Sequence, residues 1–286
     1  MDLKALSLSP LIDLRREELF KQSHIANSTN IPVAQLEQRI HELPDKTQRL
    51  NILGDNQDIE LADKILAAKG YSISLRQILE DERSCFSKDS AHLVKGNRSR
   101  RLWKPAKVVQ QFIDQYSDLC MNKKGLDLAC GSGRDSVCMA NNGWSMTSVD
   151  YSQSALDRLQ SLAKINQQRV DVKKIDLERN PQQLDKLAGL YSAVIVIRYL
   201  HRDLFEQLRS LIAPKGFIIY QTFLTGCEQF GSPKNPRFLL NPGELADRFS
   251  DFKIYEDKIE YLNDGRPTNC FIAQKKRPHK KISLFK

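Results

Sequence analysis

Beyond residue 104, short apolar runs of strand length alternate with stretches whose apolar residues recur every three or four positions, the pattern of strands separated by amphipathic helices. KGLDLACG, WSMTSVDYS, VDVKKIDLE, YSAVIVIRYL and KGFIIYQTF are five strand candidates, and FKIYEDKIEYL and TNCFIAQKK follow as two more. Asp264-Gly265 between the last two is a hairpin turn signal, which makes them antiparallel neighbours. YSAVIVIRYL is apolar without alternation, as a strand covered on both faces must be, and so belongs at the centre of a parallel sheet. Among the helices, PAKVVQQFIDQYSDL has Pro105 in its first turn, RDSVCMANNG stops at Gly143, and SQSALDRLQSLAKI is capped by Ser152. Asn180-Pro181 opens another, HRDLFEQLRSLIAP is amphipathic, and NPGELADRF carries Asn241 as cap with Glu244 closing a capping box. The alternation predicts an α/β fold built on a doubly wound sheet of seven strands.

A smaller α/β rhythm precedes it. LIDLR and RLNILGD read as strands, REELFKQ as a helical turn, and STNIPVAQLEQRIHELP as an extended segment leading into a helix that stops at Pro44. IELADKILAAKG is a helix ended by Gly70, and YSISLR is a further strand, so this part also predicts a small parallel sheet. Residues 81–104 are charged and lack periodicity, which divides the chain into a first domain over 1–80, a linker over 81–104 and a second domain over 105–286. Within the linker, RLWKP stands out, and Trp103 there reads as an apolar plane packed against a domain.

Composition narrows the class. Hydrophobic residues make up 41% and charged residues 28%, and no apolar run approaches the roughly 18 residues a membrane-spanning helix needs. The opening MDLKALSLSPLIDLRREELF mixes acids and bases and shows no signal-peptide pattern, so a cytoplasmic location is expected. The six cysteines and five histidines show no metal-ligand spacing, and no metal is expected. The net charge of +9 is uneven: residues 1–95 hold 13 Lys and Arg against 15 Asp and Glu, leaving 31 against 20 for the rest. Much of the excess sits in KGNRSRRLWKPAK (95–107) and KKRPHKK (275–281), which admit a nucleic-acid footprint but read first as a solvated linker and tail.

The chemistry concentrates after the first strand of the second domain. Gly131 and Gly133 allow a sharp turn and a close backbone approach to a ligand, and Asp150, ending the next strand, is placed to accept hydrogen bonds from ribose hydroxyls. A dinucleotide site would want a third glycine, absent from Gly131-Ser132-Gly133-Arg134-Asp135-Ser136. Asp127 inside the strand and Asp135 at the helix start would repel a pyrophosphate, whereas a ligand carrying an ammonium and a sulfonium suits them.

Asp127-Leu128-Ala129-Cys130-Gly131-Ser132-Gly133 resembles the first motif of class I S-adenosylmethionine-dependent methyltransferases, and the strand series with its terminal hairpin is similar to theirs over roughly residues 100–275. The resemblance implies a seven-stranded Rossmann-like sheet with S-adenosyl-L-methionine as cofactor. It places Asp127 near the methionine part, Gly131 and Gly133 along it, Asp150 on the ribose and Asp176 by the adenine amino group, with Ala129, Tyr151 and Leu177 completing the cofactor-binding set. Ala129 stands where the family often has glycine, and a modest backbone adjustment is expected there.

On the acceptor side, RYLHRDLF follows the fourth strand and projects Arg198, Tyr199 and His201 towards the crevice as candidate catalytic residues; a capping or surface role for His201 is equally open. The long segment QTFLTGCEQFGSPKNPRFLLNPGEL has the character of a lid or specificity loop, with Phe223, Phe230 and Arg237 shaping the pocket. Together with RLWKP it resembles methyltransferases related to the tellurite-resistance enzymes, which implies a small, thiol or chalcogen acceptor. RNA methylation through the basic tracts and a non-enzymatic adaptor are the alternatives. The first domain resembles a rhodanese-like sulfurtransferase module through LIDLR and SHIANSTNIP, with His24 a structural residue. The loop that would hold the persulfide-forming cysteine reads Ile52-Leu53-Gly54-Asp55-Asn56-Gln57-Asp58, so this domain is expected to be catalytically silent and to dock a protein partner or stabilise the chain.

Overall fold

The computed structural model describes residues 6, 10–79, 92–187 and 191–277. The chain divides into two compact units, Met1–Lys104 and Pro105–Lys286.

The first unit runs β1 (Leu11–Asp13), α1 (Glu17–Gln22), β2 (His24–Ile25), β3 (Thr29–Asn30), α2 (Val33–Leu36), β4 (Leu50–Gly54), α3 (Asn56–Ala68), β5 (Ile73–Ile78) and β6 (Leu93–Val94). Four of these strands form a parallel sheet in the order β3-β1-β4-β5. Ile12, Leu14, Leu50, Ile52 and the α3 residues Ile59, Ala62 and Leu66 meet in its core, because α3 carries its apolar residues at helical spacing. The helix expected to run to Pro44 is interrupted. Arg39 leaves helical geometry (φ −104°, ψ 13°) and its guanidinium grips Glu42 at 2.6 Å, so one α-turn and a 3-10 turn at Ile40–Glu42 replace it.

The boundary also differs from the expected linker over 81–104. Residues 80–91 lie outside the described part, but 92–104 are built into the first unit. β6 pairs antiparallel with β2, Ser99 Oγ accepts the Asn30 N–H at 3.0 Å, and Leu102 is buried in the first core. Two-residue strands and backbone hydrogen bonds leave no periodic trace, so a polar sequence there reads as linker. Trp103 is only 3% exposed and carries the Arg101 guanidinium 4.8 Å from its ring centre, in keeping with a packing role.

The second unit comprises α4 (Lys107–Gln115), β7 (Lys124–Leu128), α5 (Arg134–Asn141), β8 (Ser145–Asp150), α6 (Gln153–Ile165), β9 (Val170–Lys174), β10 (Tyr191–Ile197), α7 (Phe205–Leu211), β11 (Ile212–Phe223), α8 (Glu244–Arg248), β12 (Lys253–Tyr261) and β13 (Pro267–Gln274). Its seven strands lie in the order β12-β13-β11-β10-β7-β8-β9. β7 to β11 are mutually parallel, and β13 runs antiparallel to both β11 and β12. β10 is central, and alternate residues face opposite cores. Ala193 and Ile195 join α4 and α5 residues such as Phe112 and Met139, while Val194 and Val196 join Leu208 of α7 and Leu245 of α8. Both faces are therefore apolar, which is why no alternation was visible in that run.

Helix ends follow the sequence signals unevenly. Ser152 Oγ caps α6 by accepting the Ala155 N–H at 3.3 Å, and Glu244 accepts the Asn241 N–H at 3.0 Å. The helix expected after Pro105 starts only at Lys107, because the Ala106 N–H is held at 2.7 Å by Asp135. Pro181–Lys186 is a 3-10 segment with no side-chain cap from Asn180.

Candidate active site

The chain leaves β7, builds outward through β8 and β9, then crosses back to lay β10 on the other side of β7. The connections after β7 and β10 therefore part in opposite directions, opening a crevice at the carboxyl ends of these strands, where open α/β sheets bind ligands. The turn after β7 and the RYLH segment after β10 both end there.

Three residues of the first turn have left-handed backbones: Ala129 (φ 55°), Gly131 (φ 55°) and Gly133 (φ 75°). Ala129, where the family often has glycine, takes a left-handed backbone that glycine adopts freely, at a strain of about 1 kcal/mol. A Cβ added to Gly131 would meet nothing within 4 Å, so open space lies beside its backbone. A Cβ on Gly133 would fall 2.2 Å from Leu159 Cγ, so this glycine lets α5 and α6 approach. The two glycines thus do different work.

Asp150 is 7% exposed, and its two oxygens accept the N–H groups of Gly131 and Ser152, each at 2.9 Å. It ties the glycine turn to the tip of β8 and holds its carboxylate in one orientation, with remaining lone pairs for a ligand's hydroxyls. Asp176 stands beyond β9, where its Oδ1 accepts the N–H groups of Glu178 and Arg179 at 3.1 Å and shapes its own turn. The ring of Tyr151 is 70% exposed beside Asp150. Leu177, expected among the cofactor contacts, has its side chain buried in the sheet core with Val149 and Leu184, which leaves only its backbone for a ligand.

Asp127 is 2% exposed and accepts a hydrogen bond from Ser136 Oγ, which in turn accepts one from Ser148 at 2.8 Å. Burial pushes its pKa well above the ordinary carboxylate range, and the nearby Asp135 adds to the rise. Folding therefore binds this proton more tightly than the unfolded chain does, and stability falls as pH rises from the ordinary carboxylate range towards the folded value. Asp127→Asn should accordingly raise the melting temperature at pH 7 by about 2–4 °C, equivalent to roughly 1 kcal/mol, with the gain fading towards pH 4. Affinity for a cationic ligand should fall about fivefold, near 1 kcal/mol. Thermal scans at the two pH values, with calorimetry at the higher, check both effects; a melting temperature lowered at pH 7 contradicts the account.

On the β10 side, Arg198 has φ 57° and donates its amide N–H to Gln221 O at 2.6 Å. Among the described residues the buried Tyr199 hydroxyl finds no hydrogen-bond partner, and the side chain lines a narrow recess without room for water, together with Leu128, Val196, His201 and Tyr220. Burial raises its pKa, with Glu178 next in effect, so it is a neutral phenol able to donate to a ligand. His201 is half-buried at the start of a 3-10 turn and lines the same recess, with no side-chain cap bond. The structure thus brings Tyr199 and His201 to one recess.

Sequence reasoning missed Arg202. Its guanidinium bonds Glu244 at 2.7 and 2.9 Å and the carbonyls of Arg237 and Leu239 at 2.9 and 2.8 Å, fastening the loop before α8. Arg237 bridges from that loop to Glu178 at 3.3 Å, Phe223 is buried beneath Arg266, and Phe230 is 55% exposed. Arg202 is adjacent to His201, and only its distance from Glu244 in sequence hid the link. Burial pushes Cys120 and Cys270 up to about 12 and raises Cys130 as well, so these are inert thiols.

The crevice fits a cationic nucleoside donor: open space beside Gly131, an oriented carboxylate at Asp150 and an acid in the strand below. Residues 126–216, from β7 into β11, match the model of the methyltransferase domain. With the strand order and the glycine turn, this makes the second unit a class I methyltransferase domain, dependent on S-adenosylmethionine, and the protein an enzyme. The chain is 26% identical to a protein of unknown function from Schizosaccharomyces pombe, over 92% of this chain and 93% of that one. Among solved structures, TehB from Haemophilus influenzae is similar at 17% identity and a TM-score of 0.49, covering 58% of this chain and 62% of TehB, so the chain spans less than two thirds of it. A methyltransferase from Methanosarcina mazei is similar at 15% identity and a TM-score of 0.48, covering 62% of this chain and 100% of that one. Among the described residues no helix is long and apolar enough to cross a membrane.

Proposed function

We propose that the enzyme methylates a small-molecule acceptor, a thiol or other soft nucleophile, seated between the glycine turn and the RYLH segment. The carrying observation is the buried Tyr199 hydroxyl, on the segment that follows β10, which has no hydrogen-bond partner among the described residues. S-adenosylmethionine supplies an activated methyl group whose leaving thioether is neutral. The residues therefore need little acid catalysis; Asp150 orients the donor and Tyr199 holds the acceptor in line. His201, which lines the same recess, is the candidate to take a proton from the acceptor. Incubation of the full chain with methyl-labelled S-adenosylmethionine and cell extract, separated by size, tests this: label should appear in a small product. Label confined to RNA or protein overturns it.

For the first unit we infer a non-catalytic role, in docking a protein partner or stabilising the chain. What supports this is the start of α3, where Asp55 accepts the Asp58 N–H at 2.7 Å. A rhodanese-like site would direct such backbone N–H groups at a persulfide, and here a carboxylate occupies one of them. His24, fully buried, engages the Phe20 carbonyl at 2.8 Å and stacks on the Phe20 ring, as a structural residue would. The fission-yeast relative, aligned over 92% of this chain, spans both units, which favours a joint role.

A further inference from the structure

Several charged residues gather at the carboxyl edge of the second sheet. Asp150 ends β8, and Asp176 and Glu178 follow β9, paired with Arg179 and Arg237. Arg134 follows β7, Arg198 follows β10 and Arg266 immediately precedes β13. Strand register sets Arg198 and Arg266 on either side of β11, Ile197 pairing with Gln221 and Phe223 with Thr268, and Arg134 is close enough for its charge to act on Arg198. The Arg266 guanidinium lies 4.8 Å from the centre of the Phe223 ring.

Two of the three guanidiniums have no direct partner among the described residues. Neither Arg134 nor Arg198 has a hydrogen-bond or ion-pair partner for its guanidinium among the described residues. Arg266 is engaged by Asp264 at 2.8 Å and by the Ser232 carbonyl at 2.5 Å. The carboxylates that face this space are Asp264 and Asp135, and Asp135 already accepts the Ala106 N–H at 2.7 Å. Desolvation, followed by the like charges of Arg134 and Arg266, lowers the pKa of Arg198 against the opposing pull of Asp135 and Asp264, while part of its side chain stays open to solvent. Arg198 also keeps a left-handed backbone (φ 57°), a conformation that persists in non-glycine residues mainly where surrounding structure enforces it.

The geometry points to an anionic acceptor: a small molecule bearing a carboxylate or comparable oxyanion, seated by Arg198, Arg134 and Arg266 next to the donor pocket. This rests on the methyltransferase reading above and narrows its acceptor. Guanidinium forks match oxyanions in pairs of hydrogen bonds, and a neutral analogue would leave them without a counter-charge. Cations gathered at one sheet edge suit a compact anion, whereas a nucleic-acid backbone is tracked by cations spaced along a groove.

Full-length protein saturated with S-adenosylhomocysteine, titrated calorimetrically at constant ionic strength with succinate, inorganic phosphate and neutral succinamide, tests the proposal. Saturable binding of succinate or phosphate but not succinamide is expected. Arg198→Gln and Arg266→Gln should each weaken the anion at least tenfold and leave S-adenosylhomocysteine affinity within twofold, with melting curves verifying that each variant is folded. Equal binding of succinamide, no saturable anion binding, or unchanged affinity in both folded variants overturns it. So does arginine-dependent binding of a single-stranded RNA oligomer that neither small anion displaces. Failure of S-adenosylhomocysteine itself to bind would instead strike the donor assignment, and the acceptor proposal with it.

Discussion

Asp150→Ala is expected to weaken S-adenosylhomocysteine binding by at least about tenfold, and by up to about a hundredfold if both ribose hydroxyls bond the carboxylate. The carboxylate is 7% exposed and held by two backbone N–H groups, so a ligand meets it already oriented. Alanine removes the acceptor for those hydroxyls and also releases Gly131 and Ser152, at a cost to stability of about 1–2 kcal/mol. Asp150→Asn should fall between, because its amide offers one oxygen where two N–H groups converge. Calorimetric titration well below the melting temperature checks the series. A dissociation constant for the alanine variant within twofold of the native value would remove Asp150 from the donor site.

The second large effect separates the two glycines of one turn. Gly133→Ala would drive a Cβ to 2.2 Å from Leu159 Cγ while forcing a side chain onto a left-handed backbone. Overpacking and strain together should cost about 3 kcal/mol, readable as a lower urea midpoint. Leu159→Ala in the same chain should recover part of that loss beyond additivity, since it empties the volume the new methyl needs. Gly131→Ala meets no atom within 4 Å, so its stability cost should be near the strain alone, about 1 kcal/mol. Its methyl would enter the space beside the turn, and donor affinity should drop at least about tenfold. If both variants lost stability alike and both bound donor normally, the division of labour would be wrong.

Much of the second unit was legible because its elements are long and doubly covered. YSAVIVIRYL read as a central strand, and the last two strands form the hairpin that Asp264-Gly265 predicted. The glycine turn was equally legible, since left-handed positions favour glycine. What it concealed was which glycine faces a ligand and which faces Leu159, a distinction that exists only once α6 is in place. Leu177 buries its side chain in the core, so only its backbone faces the strand tip beside Asp176, a distinction the sequence does not carry. The linker was overextended because Leu93–Val94 is too short to show a period, and its partner lies about seventy residues away in sequence. The arginine trio was invisible for the same reason: three cations spread through the chain gain meaning only through strand register.

The placement of β13 has a consequence for biosynthesis. The parallel sheet of the first unit has all its strands once Ile78 is made. In the second unit β11 must wait for β13, the last strand translated, before its far edge is covered. A ribosome stalled between the two would hold a folded first unit attached to a sheet whose β11 edge is bare over Phe217–Phe223, a species suited to capture by chaperones or to aggregation. Rare codons between residues 224 and 266 should therefore lower soluble yield more than the same codons placed earlier.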